Sequence, residues 1–373
     1  MKKAQLGQFF TTNTAYILRN MAKYVRGKAV TDPFAGNGDL LRWAKENGAV
    51  SAAGYDIDET YVDNETVFFN DSLKTPKPYG FVVTNPPYLY QNKMDDNAVL
   101  AGSKHTDLYQ LSLEKIAGGE EGIVIVPINF LSAENARYIR RFFFERFDID
   151  EADYFTEQVF GDTTYNVMVF HYKRKSAGGD ETVLPLRFRP EERVANVRLS
   201  KRFDWRIGGD FIEKARSFGN RLRIRRLEEK DLDDGGERVL LAFNHIKNRR
   251  EYFISPEAKK KLAGNIVLLR AIDSGTEAGR IGLENIKARG IKGLVSIKTS
   301  RNQIQLIFPD SVSVEEQEKL IALFNKELNE ARETYGSLFM TNFRDNDRKR
   351  ISFGFAYDFL NYLYFTRVRG ETL

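Results

Sequence analysis

Gly80-Phe81-Val82-Val83-Thr84-Asn85-Pro86-Pro87-Tyr88 is the stretch that decides how this chain is read. Its first half is an uninterrupted apolar run of β-formers, the pattern of a strand buried on both faces. Two consecutive prolines then forbid further ladder pairing and an immediate helix. The backbone is therefore stiff just where a strand tip meets solvent or a ligand. Asn85 offers an amide oxygen that accepts and an NH2 that donates. Pro86 lacks an N–H and leaves only a carbonyl acceptor. Tyr88 adds a flat aromatic face with a polar tip. Two acceptors beside an aromatic face suit an exocyclic amino group on a planar base or an amide. A plain proline turn after a strand is the competing account, and the residues upstream weigh against it.

Upstream, Lys28-Ala29-Val30-Thr31-Asp32-Pro33-Phe34-Ala35-Gly36-Asn37-Gly38-Asp39-Leu40-Leu41 reads as a short strand, a glycine-containing turn and a helix running to about Lys45. A doubly wound sheet starts its first ligand-binding crossover in this way. Neither the Gly-x-Gly-x-x-Gly fingerprint nor a Gly-Lys-Ser/Thr phosphate loop is present. An acid at the strand end, Asp32, disfavours a phosphate and favours a cationic or amino-bearing ligand, which Gly36 and Gly38 let the backbone approach closely. Ala52-Ala53-Gly54-Tyr55-Asp56-Ile57-Asp58 is a second strand with an acid at its carboxyl end, the spacing at which ribose hydroxyls are held. Asn70-Asp71-Ser72-Leu73 marks a third strand end, where Asp71 suits an amino group or, equally, a turn. The Asn-Pro-Pro-Tyr tip is the fourth. Open α/β sheets bind ligands outside these ends, so a doubly wound, mostly parallel sheet brings all four together. Before the first strand, Ala15–Ala22 has helical spacing with Thr12 or Asn13 as cap, and Phe9 and Phe10 stand in the approach as a hydrophobic staple.

Composition narrows the classes. The 373 residues suffice for two ordinary domains, and 42% hydrophobic with 29% charged residues is a globular balance. No apolar run reaches the length of a membrane span, and the N-terminal residues lack the apolar core of a secretory signal. A cytosolic protein of bacterial or viral context is expected. The absence of cysteine excludes disulfides, thiolate metal sites and a cysteine nucleophile. Three scattered histidines give no support to a metal site or a Ser-His-Asp triad. Charge is uneven: residues 1–175 hold 20 Lys+Arg against 23 Asp+Glu, whereas 176–373 hold 37 against 29. The basic second half is expected to meet a polyanion.

Gln8-Phe9-Phe10-Thr11, Asp32-Pro33-Phe34-Ala35-Gly36-Asn37-Gly38, Asp56, Asp71 and Asn85-Pro86-Pro87-Tyr88, in that order, resemble the gamma-ordered DNA adenine-N6 methyltransferases. Weaker pieces continue through Asp107–Leu111, Gly122–Pro127, Ala136–Phe143 and Val159–Phe170, so the resemblance covers about residues 5–172. It implies S-adenosylmethionine as cofactor, bound by Phe10, Thr11, Asp32, Pro33, Phe34, Ala35, Gly36, Asp56, Ile57, Asp71, Ser72 and Asn85. Phe10 and Thr11 line the methionine end, Asp32 accepts from the ammonium group, Asp56 takes the ribose hydroxyls and Asp71 the adenine amino group. It also implies a catalytic motif Asn85, Pro86, Pro87 and Tyr88, with Tyr88 stacked on the target base and Phe160 or Tyr165 closing its other face. The chemistry is consistent with that assignment. A purine amine is a poor nucleophile because its lone pair is delocalised. Accepting both its hydrogens, at Asn85 and the Pro86 carbonyl, favours pyramidalisation and frees the lone pair for attack on a sulfonium methyl. A target atom inside a duplex has to be flipped out. Carbon-5 cytosine methylation needs a cysteine and is excluded.

Lys173–Asp180 is polar and glycine-containing and is expected to divide a catalytic domain, 1–175, from a mixed α+β DNA target-recognition domain, 176–373. In the latter, Val183–Phe188 and Arg221–Leu227 alternate as exposed strands with a basic face, Glu237–Phe243 and Lys292–Ile297 also look like strands, and Ser313–Tyr335 has helical spacing. Three basic and amide-rich clusters, Asn244–Arg250, Lys298–Gln303 and Asn342–Arg350, supply the side chains that read base edges and hold phosphates, with Arg249, Arg301 and Arg348 as candidate DNA contacts. Double-stranded DNA and a companion restriction endonuclease are the expected partners. Asn-Pro-Pro-Tyr also serves methylation of RNA adenines and of a release-factor glutamine. The early Gln-Phe-Phe-Thr piece and the basic region after the motif weigh against the glutamine enzyme. No RNA module is recognisable, cytosine-N4 enzymes usually carry Ser where Asn85 stands, and a silent DNA-binding relative fits poorly with intact Asn85 and Asp32.

Overall fold

The computed structural model of the protein describes residues 11–94, 98–161, 165–274, 276, 279–344 and 348–372. The chain forms two compact units, Met1–Gly209 and Asp210–Phe343 with Arg348–Leu373.

The first unit is built on a nine-stranded sheet with the order β3-β2-β1-β4-β5-β7-β6-β8-β9. Strands β1 (Ala29–Asp32), β2 (Ser51–Asp56), β3 (Val67–Phe69), β4 (Phe81–Thr84) and β5 (Glu121–Pro127) are mutually parallel. Every residue of β4 and nearly all of β5 is buried, which accounts for their unbroken Val and Ile runs. Strand β7 (Val167–Arg174) lies antiparallel to β5 and to β6 (Phe147–Phe155). The order reverses between β1 and β4, so the switch point of this α/β sheet has Asp32 on one side and Asn85 on the other. Helix Asp39–Glu46 follows the glycine turn as expected and buries Leu40, Leu41, Trp43 and Ala44. On the amphipathic helix Arg137–Phe144, Phe143 and Phe144 enter an aromatic cluster with Phe130 and Phe170. Arg140 of the same helix is buried as well. Its guanidinium donates to the carbonyls of Phe130 (3.0 Å), Ala133 (2.6 Å) and Asp204 (3.1 Å), closing the end of the turn Asn129–Ser132.

Three expectations are corrected. Lys173–Asp180 is not the division between units. Lys173 and Arg174 end β7, and residues 175–180 connect it to β8 (Glu181–Arg189), which pairs parallel with β6; β9 (Val194–Ser200) then closes the sheet, so the unit extends to Gly209. The basic face expected on Val183–Phe188 is neutralised internally: Arg187 and Arg189 pair with buried Asp153 at 3.1 and 3.0 Å, and Leu184, Leu186 and Phe188 are core. Ala15–Ala22 is two single turns, Thr14–Ile17 and Ala22–Val25. Asn13 makes no side-chain cap, and Asn20 between them donates instead to Asp153 at 2.7 Å.

The second unit is mixed α+β. One sheet has the order β10-β16-β13-β14, formed by Arg225–Arg226, Gln303–Ile307, Val267–Arg270 and Gly282–Asn285. Another places β11 (Asp234–Phe243) between β12 (His245–Ile254) and the parallel β15 (Gly293–Val295). Only Arg225–Arg226 of the expected strand 221–227 pairs, because Asn220 bonds both backbone groups of Ile224 and Arg223 has a φ of 56°, together making a tight loop. Helix Val314–Tyr335 starts at a capping box in which Ser313 and Glu316 each accept the other's backbone N–H. Buried amides join the layers. Gln305 accepts from Leu294 N–H (2.8 Å) and donates to Asn265 C=O (2.6 Å), and Gln317 does the same for Ile266 (3.0 Å) and Gly264 (2.7 Å).

Candidate active site

The four parallel strands put their carboxyl ends along one edge, and the expected residues stand there. Asp32 ends β1 at 1% exposure. Its Oδ1 accepts from Thr84 Oγ1 at the end of β4 (2.6 Å) and from Phe34 N (3.0 Å), fastening the two sides of the switch point together. Its Oδ2 makes no hydrogen bond and no ion pair among the described residues. Burial pushes this carboxyl up to about 7, with nearby Asp56 adding to the shift. An unpartnered carboxylate oxygen on so buried a residue is complementary to a cation.

Asp56, at the end of β2, uses Oδ2 to accept from Gly36 N (2.7 Å) and Oδ1 to accept from Asp58 N (2.8 Å). Burial raises its carboxyl, and these backbone donors pull in the opposite direction. The loop Pro33-Phe34-Ala35-Gly36 is thereby drawn over β2, with Ala35 N donating to Tyr55 O at 2.8 Å. Gly54 is what permits this approach: a Cβ there would stand 2.5 Å from that of Ala35. Gly36 itself takes a φ of 50°. Ile57, next along, is exposed. Asp71 follows β3 in a turn, its Oδ1 accepting from Leu73 N and Lys74 N at 3.2 Å each and its Oδ2 lying 3.4 Å from Lys74 Nζ. Ser72 is buried and accepts from Asn70.

Asn85 is held from both ends of its amide. Nδ2 donates to Thr11 Oγ1 at 3.1 Å, and Oδ1 accepts from the Tyr88 hydroxyl, which also lies 2.9 Å from the Ile125 carbonyl. Tyr88 is only 3% exposed, and burial raises its hydroxyl well above the usual tyrosine range. Tyr109 and Tyr165 meet its ring edge-on, with centroids 6.4 and 6.5 Å away. Of the two aromatics expected opposite it, Tyr165 is the neighbour; Phe160 is buried and makes no ring contact among the described residues. Pro86 is buried and Pro87 half-buried. Phe10 lies outside the described residues. The tie from Thr11 to Asn85 was not foreseeable from sequence, because it joins residues 74 positions apart.

In the second unit, three clusters that are far apart in sequence are tied to one another. Asn244, with a φ of 59° at the β11–β12 turn, accepts from Ile297 N (2.8 Å) and donates to Thr299 Oγ1 (2.8 Å), while Gln303 accepts from Ile246 N (3.0 Å). Asn302 accepts from Ala271 N and Ile272 N, and the segment 271–273 pairs in turn with Lys349, Arg350 and Ile351. Lys247, Asn248, Arg249, Arg250, Lys298 and Arg301 are exposed on this surface. The three candidate arginines differ. Arg249 donates to the carbonyls of Ile246 and Arg289 (3.0 Å each) and Arg348 to that of Asp273 (2.8 Å), whereas Arg301 makes no hydrogen bond or ion pair among the described residues.

A strand-end acid, a glycine loop and an Asn-Pro-Pro-Tyr tip at one switch point agree with the family comparison, whose match begins at Asp32. Residues 32–160 match the model of the Eco57I restriction-modification methylase family. Similar curated proteins are the type II methyltransferases M.HincII and M.HindII of Haemophilus influenzae, each 28% identical over 191 residues, which is 46% of this chain. The match spans 38% and 36% of their lengths, so the chain corresponds to well under half of either relative. Among solved structures, the type IIG restriction endonuclease BpuSI aligns with 94% of this chain and 57% of its own at 12% identity and a TM-score of 0.42. The M protein of the type I restriction enzyme EcoKI aligns over 49% of each chain at 15% identity and a TM-score of 0.36. The matched residues run from the end of β1 through β2, β3, β4, β5 and β6 and include the Asn-Pro-Pro-Tyr tip. Among the described residues there is no group of acids and histidines that could hold a metal, and no helix long and apolar enough to cross a membrane.

Proposed function

We propose that this protein is a site-specific DNA methyltransferase that modifies the exocyclic N6 of adenine in a short duplex site, using S-adenosylmethionine. The observation that carries the proposal is the pairing, across one switch point, of the unpartnered oxygen of buried Asp32 with the acceptors of Asn85-Pro86. When bound, S-adenosylmethionine supplies an electrophilic methyl group. Asp32 would hold its ammonium group, and the loop Pro33–Gly36, with Asp56, Ile57, Asp71 and Ser72, would hold the remainder.

Asn85 Oδ1 and the Pro86 carbonyl accept the two hydrogens of the adenine amine. Holding both biases the nitrogen toward a pyramidal geometry and localises its lone pair, so orientation and electrostatics do the catalytic work and no strong base is needed. In the resting structure the Tyr88 hydroxyl occupies Asn85 Oδ1. Tyr88 therefore turns out of its buried position as the flipped base enters, and this movement frees the acceptor and a stacking face together. Tyr165 stands nearby as the second aromatic. The exposed basic surface of the second unit, with Arg301 as its uncommitted guanidinium and Arg249 and Arg348 in the clusters joined to it, engages the duplex. A restriction endonuclease is the natural companion of such an activity.

The test is methyl transfer from labelled S-adenosylmethionine to unmethylated duplex DNA, with RNA and a release factor assayed alongside and the products digested for mass analysis. Label recovered as N6-methyldeoxyadenosine is expected. Label in RNA or in a protein glutamine, or none at all, overturns the proposal.

A further inference from the structure

We propose that Thr11 is a positioning residue for Asn85, which fixes the plane and direction of the catalytic amide from behind. This inference rests on the methyl-transfer role of Asn85 and goes beyond the contact with cofactor that the family resemblance implies for Thr11. Asn85 follows a strand and precedes two prolines, so its backbone is fixed, but its terminal amide torsion is soft. Rotating that amide by half a turn exchanges Oδ1 for Nδ2 and sets a donor against the amine that is to be held. Thr11 Oγ1 lies 3.1 Å from Nδ2, on the far side of the amide from Oδ1. Its side chain is buried at 3% exposure, so water competes poorly for the bond. The hydroxyl of Tyr88 holds the other end only until a base arrives, whereas the Thr11 bond can persist through the reaction.

The chain that follows Thr11 is anchored. It is fastened to β6 and the turn just beyond β6 through three side chains: Tyr16 Oη donates to Glu157 (2.5 Å), Asn20 Nδ2 to Asp153 (2.7 Å) and Lys23 Nζ to Glu151 (2.6 Å). Asp153 is fully buried and bridged by Arg187 and Arg189. The orientation of Asn85 thus depends on a framework outside the Asn-Pro-Pro-Tyr motif.

Thr11→Val keeps the shape and removes the acceptor; Thr11→Ser keeps the acceptor. Both are compared with wild type in the full-length protein for kcat, KM for DNA, cofactor affinity by calorimetry, and the side-chain NH2 signal of Asn85 in asparagine-labelled protein. Thr11→Val is expected to lower kcat about tenfold, with cofactor affinity falling by much less than that and faster solvent exchange of the Asn85 NH2. Thr11→Ser is expected to restore kcat and slow exchange. An unchanged kcat in Thr11→Val, or a loss of cofactor affinity matching the loss of kcat, overturns the inference. The NH2 exchange is read without turnover. An acceptor other than DNA would therefore refute the proposed substrate while still deciding the role of Thr11.

Discussion

At the scale of single residues, the roles proposed for Asn85 and Asp32 predict different failures. Replacing Asn85 with Ala removes one of the two proposed acceptors for the amine, and methyl transfer is expected to fall about 100-fold or more. Cofactor affinity, measured by calorimetry, should stay largely intact; equal loss of both would contradict the assignment. Asp32 makes binding depend on pH. Its carboxyl sits at about 7 because it is buried, and an ammonium group beside Oδ2 would pull it down. Cofactor binding near pH 6.5 should therefore release protons, and affinity should decline as pH falls below about 7; calorimetry in two buffers of different ionisation enthalpy reads this directly. The same shift acts on stability. The folded carboxyl is raised, so the folded state binds more protons than the unfolded one between the ordinary carboxylate range and about 7, and stability is lost as pH rises through that window. Asp32→Asn should accordingly melt higher than wild type at pH 8 while losing the cofactor. Asp32, Asp56 and Asn85 were legible in the sequence because each is a polar residue closing an apolar run. The burial of Tyr88, and its preference for Tyr165 over Phe160 as neighbour, were not, since they depend on side chains brought together only by the fold.

At the scale of elements, buried amides do what backbone ladders cannot. Gln305 serves Leu294 N–H and Asn265 C=O at once, and neither group has access to water. Gln305→Met fills the space but satisfies neither, and should cost about 2–3 kcal/mol in urea denaturation. A loss below about 0.5 kcal/mol would mean that both groups had found other partners. Helix Val314–Tyr335 was readable in advance because Ser313 and Glu316 have capping-box spacing ahead of a helical apolar pattern. The stretch 173–180 was misleading for an equally physical reason. A connection between two strands of one sheet and an interdomain linker both need short polar residues and glycine, and only the pairing of β8 with β6, remote in sequence, tells them apart.

At the scale of the whole molecule, function is expected to separate along the chain. Residues 210–373 hold 30 Lys+Arg against 24 Asp+Glu, and the exposed cations Lys247, Arg249, Arg250, Lys298 and Arg301, with the half-buried Arg348, are the proposed contacts with DNA. Arg301→Ala combined with Lys298→Ala should weaken DNA binding and reduce the slope of log affinity against log salt by about 0.9 for each phosphate no longer neutralised. Cofactor affinity should not change, and a parallel fall in it would refute the separation. The way the clusters are joined carries a further consequence. Asn244, Asn302 and Gln303 fix the loops by bonding backbone groups, and so hold the loop paths whatever side chains stand between them. Lys247, Asn248, Lys298 and Arg301 can then be exchanged for other residues at little expense to folding. If these positions contact DNA as proposed, a lineage acquires a new recognition sequence by drift at a few exposed residues, leaving the frame and the proposed catalytic tip untouched.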